Sequence, residues 1–381
     1  MVRRFGPLPL VLTLLSCSRD TTAPEAGTSW ASLALGGAHV CALTSQGAAY
    51  CWGDNEFGQL GDSTTTDALA PRLVTGGLRF AAIFAGSMDS CGLTASGAAY
   101  CWGLNVYGEL GDGTTTDRAT PTAVVGAPAF ESLALRGGHN CGLTAAGVVY
   151  CWGNNWYGEL GVATTTQMRP TPAPVPGAVP FKAISVGSSH ICGLTPAGAV
   201  WCWGDGRQGE LGDGSTQIRP APGAVSGSNT FVALHSGGGY TCGLTSGGRV
   251  YCWGWNAIAQ LGDGTQTDRT TPVAVQGGPI FTAILDGSNR HGCGLAGGGL
   301  AYCWGDNAGG EIGDGTTQMR LSPVRSAPGL VFRSLVGGDY FTCGSASDGT
   351  YCWGDNRHGQ LGDGTVNEFR SLPVRAPDPP Q

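Results

Sequence analysis

The side chains best equipped for chemistry in this 381-residue chain are its 15 cysteines. A cysteine can serve as a nucleophile, a metal ligand or half of a disulfide. Fourteen of them fall into seven pairs: Cys41/Cys51, Cys91/Cys101, Cys141/Cys151, Cys192/Cys202, Cys242/Cys252, Cys293/Cys303 and Cys343/Cys352. Cys17 is left over. Zinc is the rival to disulfides, but no C-x2-C spacing occurs, and two ligands on one short segment do not make a tetrahedral site. Other catalytic patterns are missing: no nucleophile elbow, no His-Glu-x-x-His, no phosphate-binding glycine loop and no unique acid pair. Lys182 is the only lysine, which removes most lysine-based chemistry. The Gly-Asp-Gly-Thr stretches, as at Gly111 to Thr114, lack the ligand alternation of a calcium loop.

These cysteines belong to a repeat. Cys-Trp-Gly begins at Cys51, Cys101, Cys151, Cys202, Cys252, Cys303 and Cys352, a period of about 50 residues. Each unit opens on an aromatic (Trp30, Phe80, Phe130, Phe181, Phe231, Phe281, Phe332) and holds four short strand-like segments. Cys41 and Cys51 mirror about position 46, opposing 41 with 51 and 44 with 48 across a loop of Ser45, Gln46 and Gly47. Such a loop wants its last residue in the left-handed region, and glycine recurs there at Gly97, Gly147, Gly198, Gly248 and Gly299. In the seventh unit the cysteines stay opposed if the loop runs from Ala346 to Gly349. Opposed strand residues lie close enough for disulfides, so seven intra-hairpin disulfides are expected.

Composition agrees. There are 67 glycines, 22 prolines and only 12% charged residues, a poor recipe for helices. Yet 41% is hydrophobic, with 11 Trp and 11 Phe, too much for a disordered chain. The expected class is all-β: a propeller or similar array, one blade for each of the seven units, over residues 30–375, with a tail at 376–381. The first unit lacks a proline-started strand before it and the last ends with an extra one, Pro373-Val374-Arg375. The C-terminal strand is therefore expected to complete the first blade and close the ring.

The net charge of −7 makes nucleic acid a poor partner. Arg3 and Arg4 precede an apolar run from Pro7 to Leu15, too short to span a bilayer as a helix. Leu14-Leu15-Ser16-Cys17 resembles a bacterial lipobox. Residues 1–16 thus read as a lipoprotein signal peptide, Cys17 as the lipidated N-terminus and 17–29 as a polar tether. The reading places the chain in an oxidising compartment, as an outer-membrane or cell-surface lipoprotein. Ser18 stands where an inner-membrane retention signal would carry Asp.

The stretch Trp-Gly-x-Asn-x-x-Gly-Gln/Glu-Leu-Gly, at Trp52–Gly61, Trp102–Gly111, Trp152–Gly161 and Trp353–Gly362, resembles the regulator of chromosome condensation repeat family. Kelch repeats share the period but not this motif. Three units depart from it, with Gly206 for Asn, Ala259 for Gly and Ile312 for Leu. The resemblance covers residues 30 to about 375 and implies a seven-bladed propeller. Paired cysteines in every hairpin look like an exported bacterial branch of that family.

Residues shared by all units read as scaffold. His39, His139, His190 and His291 lie two before a cysteine, where other units carry Asp89, Tyr240 and Phe341. A position that accepts Phe reads as a blade-top residue hydrogen-bonding the adjacent turn rather than as a metal ring. Glu109, Glu159, Glu210 and Glu311 alternate with Gln59, Gln260 and Gln360. A position taking acid or amide equally is a hydrogen-bond acceptor, not a general base. No metal site and no cofactor are expected.

Function should lie where the units differ. The loop after Trp-Gly carries Leu104, Val106 and Tyr107 in unit two, Trp156 and Tyr157 in unit three, and Trp255 and Ile258 in unit five. Equivalent loops share one face of a propeller, and exposed loop aromatics are what binding surfaces use. The expected function is a lipid-anchored, non-enzymatic binding scaffold, monomeric, engaging a protein or a cell-surface polymer. An exported inhibitor of an enzyme is the alternative. Guanine-nucleotide exchange on a small GTPase, the founding activity of the family, sits badly with export and paired cysteines.

Overall fold

The computed structural model describes residues 29–380 except 163–165, 178 and 286–288. The proposed signal peptide, Cys17 and nearly all of the tether lie outside the described residues. Seven four-stranded antiparallel sheets are arranged as the blades of a propeller. Among the described residues there is no α-helix, and a single 3-10 turn occurs at Gly297–Gly299. No helix there is long and apolar enough to cross a membrane.

Blade one shows the plan. Its strands are Ser32–Leu35, His39–Leu43, Ala49–Gly53 and Ala68–Leu73, each paired with its sequence neighbour. Cys41 faces Cys51, and Ala42 faces Tyr50. Thr44 N donates to Ala48 O at 3.0 Å, which leaves the three-residue loop, and Gly47 supplies its φ of 77°. Blade seven keeps Cys343 opposite Cys352 with a four-residue loop, Ala346 N donating to Gly349 O. All seven expected disulfides are formed. The innermost strands line a central channel of about 270 Å³. The outermost strands carry the prolines, where a missing N–H costs no ladder bond.

The opening aromatic of each unit packs inside its own blade on the Cys-Trp-Gly tryptophan. Phe130 stacks on Trp152 at 5.9 Å between ring centres, and Trp30 lies 5.8 Å from Trp52. That tryptophan also ties each blade to the preceding one. Trp102 Nε1 donates to Gln59 O, Trp152 to Glu109 O, Trp253 to Glu210 O and Trp353 to Glu311 O, all at 2.7–2.9 Å. Gly61 faces the Trp102 ring: a Cβ there would lie 2.7 Å from Nε1. The glycine is required both by this approach and by its φ of 68°.

Ring closure differs from the expectation. The C-terminal strand, Asn367–Arg375, pairs with Thr350–Asn356 and completes blade seven, not blade one. Blade one is already filled by its own four strands. A strand pairs with the neighbour its short connection delivers it to, and every connection here is of that kind. Closure comes instead from side chains. Trp52 Nε1 donates to Gln360 O at 3.1 Å, the same bond that joins the other blades. Just past the last strand, Pro377 O accepts from Trp30 Nε1 at 2.9 Å.

Candidate functional site

The loop after Trp-Gly is organised by its asparagine. Asn105 Nδ2 donates to the carbonyls of Thr114 and Thr116, and its Oδ1 accepts from Leu110 N. Asn55, Asn256 and Asn307 repeat the arrangement. In blade four this position is Gly206, where a Cβ would lie 2.2 Å from Gln217 O. The following Asp of Gly-Asp-Gly-Thr is likewise occupied by protein. Asp112 Oδ1 accepts from Thr114 N and Oγ1, while Oδ2 is held by Arg118. Those bonds hold the Asp112 carboxyl below its ordinary pKa, against the opposing effect of its burial. These stretches are turns clamped by ion pairs.

The Glu/Gln position acts as an acceptor in all seven blades. Its side-chain oxygen takes the N–H two residues earlier, as in Phe57 N to Gln59 Oε1 and Tyr107 N to Glu109 Oε2. An acid does this as well as an amide because only one oxygen is needed. The acids are buried, which pushes Glu109 up to about 8 and Glu210 and Glu311 up to about 7.

The histidines two before a cysteine lie over the blade-top turn: a Cβ on Gly36 would sit 2.2 Å from His39 Cε1. For His39, His190 and His291 the partner, however, is the next blade and not the turn. Ser90 Oγ donates to Gln59 O at 3.0 Å and meets His39 Nε2 at 2.9 Å. His190 reaches Thr241 Oγ1 at 2.8 Å and His291 reaches Thr342 Oγ1 at 2.7 Å. At the Asp89 seam, Asn140 Nδ2 donates to Asp89 Oδ2 at 2.6 Å. Burial pushes His39 and His139 down to about 4, and His190 and His291 to about 3, so all four rings are neutral. Hydroxyl partners for three of the four rings, each at its own seam, make these inter-blade clasps rather than a metal ring.

All of the variable-loop residues lie on one face, since each loop leaves the third strand of its blade at the same end. The structure joins those of blades two and three. Trp156, 53% exposed, meets the Tyr107 ring edge-on at 5.1 Å. Val106 is exposed beside them, and Leu104 and Tyr107 line a small cleft with Met88 and Glu109. Tyr157 is covered by the Arg207 guanidinium at 4.4 Å, so the row continues into blade four. Sequence reasoning passed over Arg207; its cue was a cation one blade on from an aromatic. Trp255 and Ile258 are half-buried in blade five, with blade four between them and Trp156.

Two further groupings were invisible in the sequence. Arg136, at the end of the inner strand of blade three, forms an ion pair across the channel mouth with Asp339 of blade seven. At the closing seam, His358 Nδ1 lies 3.0 Å from Asp67 Oδ2 and 3.8 Å from Asp54 Oδ1. Their ligand atoms converge within 4.8 Å, the one such group among the described residues against the expectation of none. Asp67 and His358 are more than 40% exposed, and the group reads as a surface hydrogen-bonded contact joining blades one and seven.

The signature of the regulator of chromosome condensation (RCC1) repeat matches residues 46–93, 96–143, 146–194, 197–244 and 247–285, and a second form of it matches 30–59, 80–109 and 181–210. The chain belongs to the RCC1 repeat family. Solved structures share the fold. Prp20p from Saccharomyces cerevisiae, described with its binding to Gsp1p and histones, superposes with a TM-score of 0.76 at 23% identity, covering 87% of this chain and 86% of that one. Human WBSCR16 gives 0.74 at 20% identity over 82% and 85%. The ectodomain of the receptor kinase CR4 from Physcomitrella patens gives 0.55 at 25% identity over 86% and 74%. No curated protein matches the sequence. Within the RCC1 repeat, the positions that recur from unit to unit in this chain are thus accounted for by blade and seam contacts, leaving the loop face as the surface where the units differ.

Proposed function

We propose that this RCC1-repeat propeller is an exported, lipid-anchored binding scaffold that captures a protein partner on its loop face and catalyses no reaction. The observation that carries the reading is the Tyr107–Trp156 pair. An indole more than half exposed, held edge-on against a neighbouring blade's ring, is a pre-organised apolar anchor. Tyr157 under Arg207 extends it with a cation and an aromatic, the residue types enriched at interface hot spots. Seven buried disulfides support an oxidising compartment, and Cys17 is the residue that would carry the lipid. The same disulfides weigh against nucleotide exchange on an intracellular GTPase.

The test has two arms. Cys17→Ser should release the chain from the membrane fraction or leave its precursor uncleaved; a cleaved variant still on the membrane overturns the anchor. Trp156→Ala should weaken capture of the envelope partner by about 1–3 kcal/mol with melting unchanged. A variant that melts earlier and binds fully makes Trp156 a packing residue. A captured partner that is an exported enzyme, and is inactivated on binding, makes the scaffold an inhibitor.

A further inference from the structure

We propose that the cleft between blades six and seven on the loop face is a binding subsite for a neutral saccharide. The cleft encloses about 550 Å³, within the usual size of a small-ligand site. Two local departures from the repeat create it. The position filled by Phe57, Tyr107, Tyr157, Gln208, Ile258 and His358 in the other blades is Gly309 in blade six. With no side chain there, the floor opens down to Glu311, whose Oε1 would lie 3.1 Å from a Cβ on Gly309. In blade seven the last two strands run further toward the loop face, pairing Asp355 with Phe369 and Asn356 with Asn367. That extension raises Phe369 into the far wall. It stands there with Tyr340, and both rings are 37% exposed.

The polar lining decides the ligand class. Arg290 Nε donates to Asp306 Oδ2 at 2.6 Å, and Arg357 is paired with Asp355 through Nε and Nη2. Each cation is thus balanced by a carboxylate of its own blade, Glu368 adds a further carboxylate beside Arg357, and an anionic ligand would have to compete with formed ion pairs. Guanidinium and carboxylate groups nevertheless have more donors and lone pairs than these bonds use. Unused, planar, two-atom hydrogen-bonding groups beside exposed aromatic rings suit a ring with hydroxyls at its rim and a C–H face. A purely apolar ligand would leave the two ion pairs and Glu368 without water. The Arg290 guanidinium lies 5.6 Å from the Tyr340 ring centre, which positions that ring at the edge of the cleft. None of these residues belongs to the Tyr107–Trp156 row, so the inference is independent of the proposed partner site.

Calorimetric titration of the full chain, disulfides intact, with maltose, cellobiose, lactose and N,N'-diacetylchitobiose tests this. At least one should bind with a Kd under about 1 mM. Tyr340→Ala and Phe369→Ala should each weaken it at least tenfold, and Gly309→Tyr, which restores the residue type of blades two and three, should abolish it. Melting temperature should stay as in the parent chain. Should Gly309→Tyr fold poorly, the exposed Tyr340→Ala decides alone. Binding by none of the four sugars, equal binding by the folded variants, or tighter binding of sialyllactose than of lactose would overturn the proposal.

Discussion

His139 and His190 occupy equivalent places, at the seams between blades three and four and between blades four and five. Both are buried and both are held neutral by burial. His190 reaches Thr241 of the next blade, whereas the residue offered to His139 is Ile191, which gives its ring no hydroxyl. At the closing seam the same slot is filled by Phe341, next to the blade that carries Val40. The slot therefore tolerates a polar pair, an apolar pair and a mismatch. What both seams of blade four share is the tryptophan: Trp203 Nε1 donates to Glu159 O at 2.9 Å and Trp253 Nε1 to Glu210 O at 2.8 Å. The comparison teaches that blade docking rests on the indole, and that the histidine clasp adjusts it.

The largest effect should come from the shared element. Trp203→Ala and Trp253→Ala should each destabilise by about 3–5 kcal/mol in chemical denaturation, since a fully buried indole and its hydrogen bond are lost. A cost at one seam well below that at the other would break the comparison.

Next comes the hairpin behind each seam. Removing Cys192–Cys202 by double Ala substitution should cost about 2–3 kcal/mol, the closure entropy of a ten-residue loop. Thiol titration of the folded, unreduced chain should find none of the fourteen propeller cysteines reactive, and several reactive thiols would refute the pairing.

The clasp itself separates the seams. Thr241→Val strands the His190 ring and should cost about 1–3 kcal/mol. Ile191→Thr offers His139 the hydroxyl that His190 already has, a gain of about 1 kcal/mol set against the apolar contacts of a fully buried Ile, so its cost should fall below that of Thr241→Val. A clearly smaller loss for Ile191→Thr sharpens the contrast; two losses of similar size would mean that shape, not hydrogen bonding, rules the slot.

The smallest effect depends on pH. Glu109 holds its proton up to about 8 in the fold, against an ordinary value of 4.5. Its contribution is complete below the ordinary value and is lost as pH rises through 8. Glu109→Gln keeps the acceptor without the titration, as Gln59 does, and should melt about 2–4 °C higher than the parent at pH 9 and level with it at pH 5. The histidines act in the other direction. Their depressed pKa values make stability fall below about pH 6.5 and on through 4. A parent chain no less stable at pH 4 than at pH 6.5 would show that the seam rings are hydrated.

Much of this was legible in the chain because it is local. The mirror symmetry of Cys41 and Cys51 about residue 46, and the glycine at 47, specify one hairpin register, and the cysteines then have one partner each. The acid/amide alternation at Glu109 and Gln59 marked an acceptor, which it is. The loop aromatics were half legible. Tyr107, Trp156 and Tyr157 come together with Arg207 because they sit on adjacent blades, while Trp255 and Ile258 are a blade further on. Periodicity ranks these loops as equivalent and says nothing about which neighbours touch.

The sequence by itself determined the repeat, the four strands per blade, the hairpin register and the disulfide pairing, because each rests on contacts within a single repeat, the disulfides across ten residues or fewer. Only the tertiary structure decided how the ring closes. An extra proline-started strand at the C-terminus is equally compatible with pairing to blade one or blade seven, and the ladder from Thr350–Asn356 to Asn367–Arg375 settles it. It also decided which residue answers each seam histidine, which loop rings meet, and that a missing side chain at Gly309 opens a cleft. The histidine seams and the loop rings depend on contacts between neighbouring blades, between residues about 50 positions apart, and no local pattern along the chain records the distance between them.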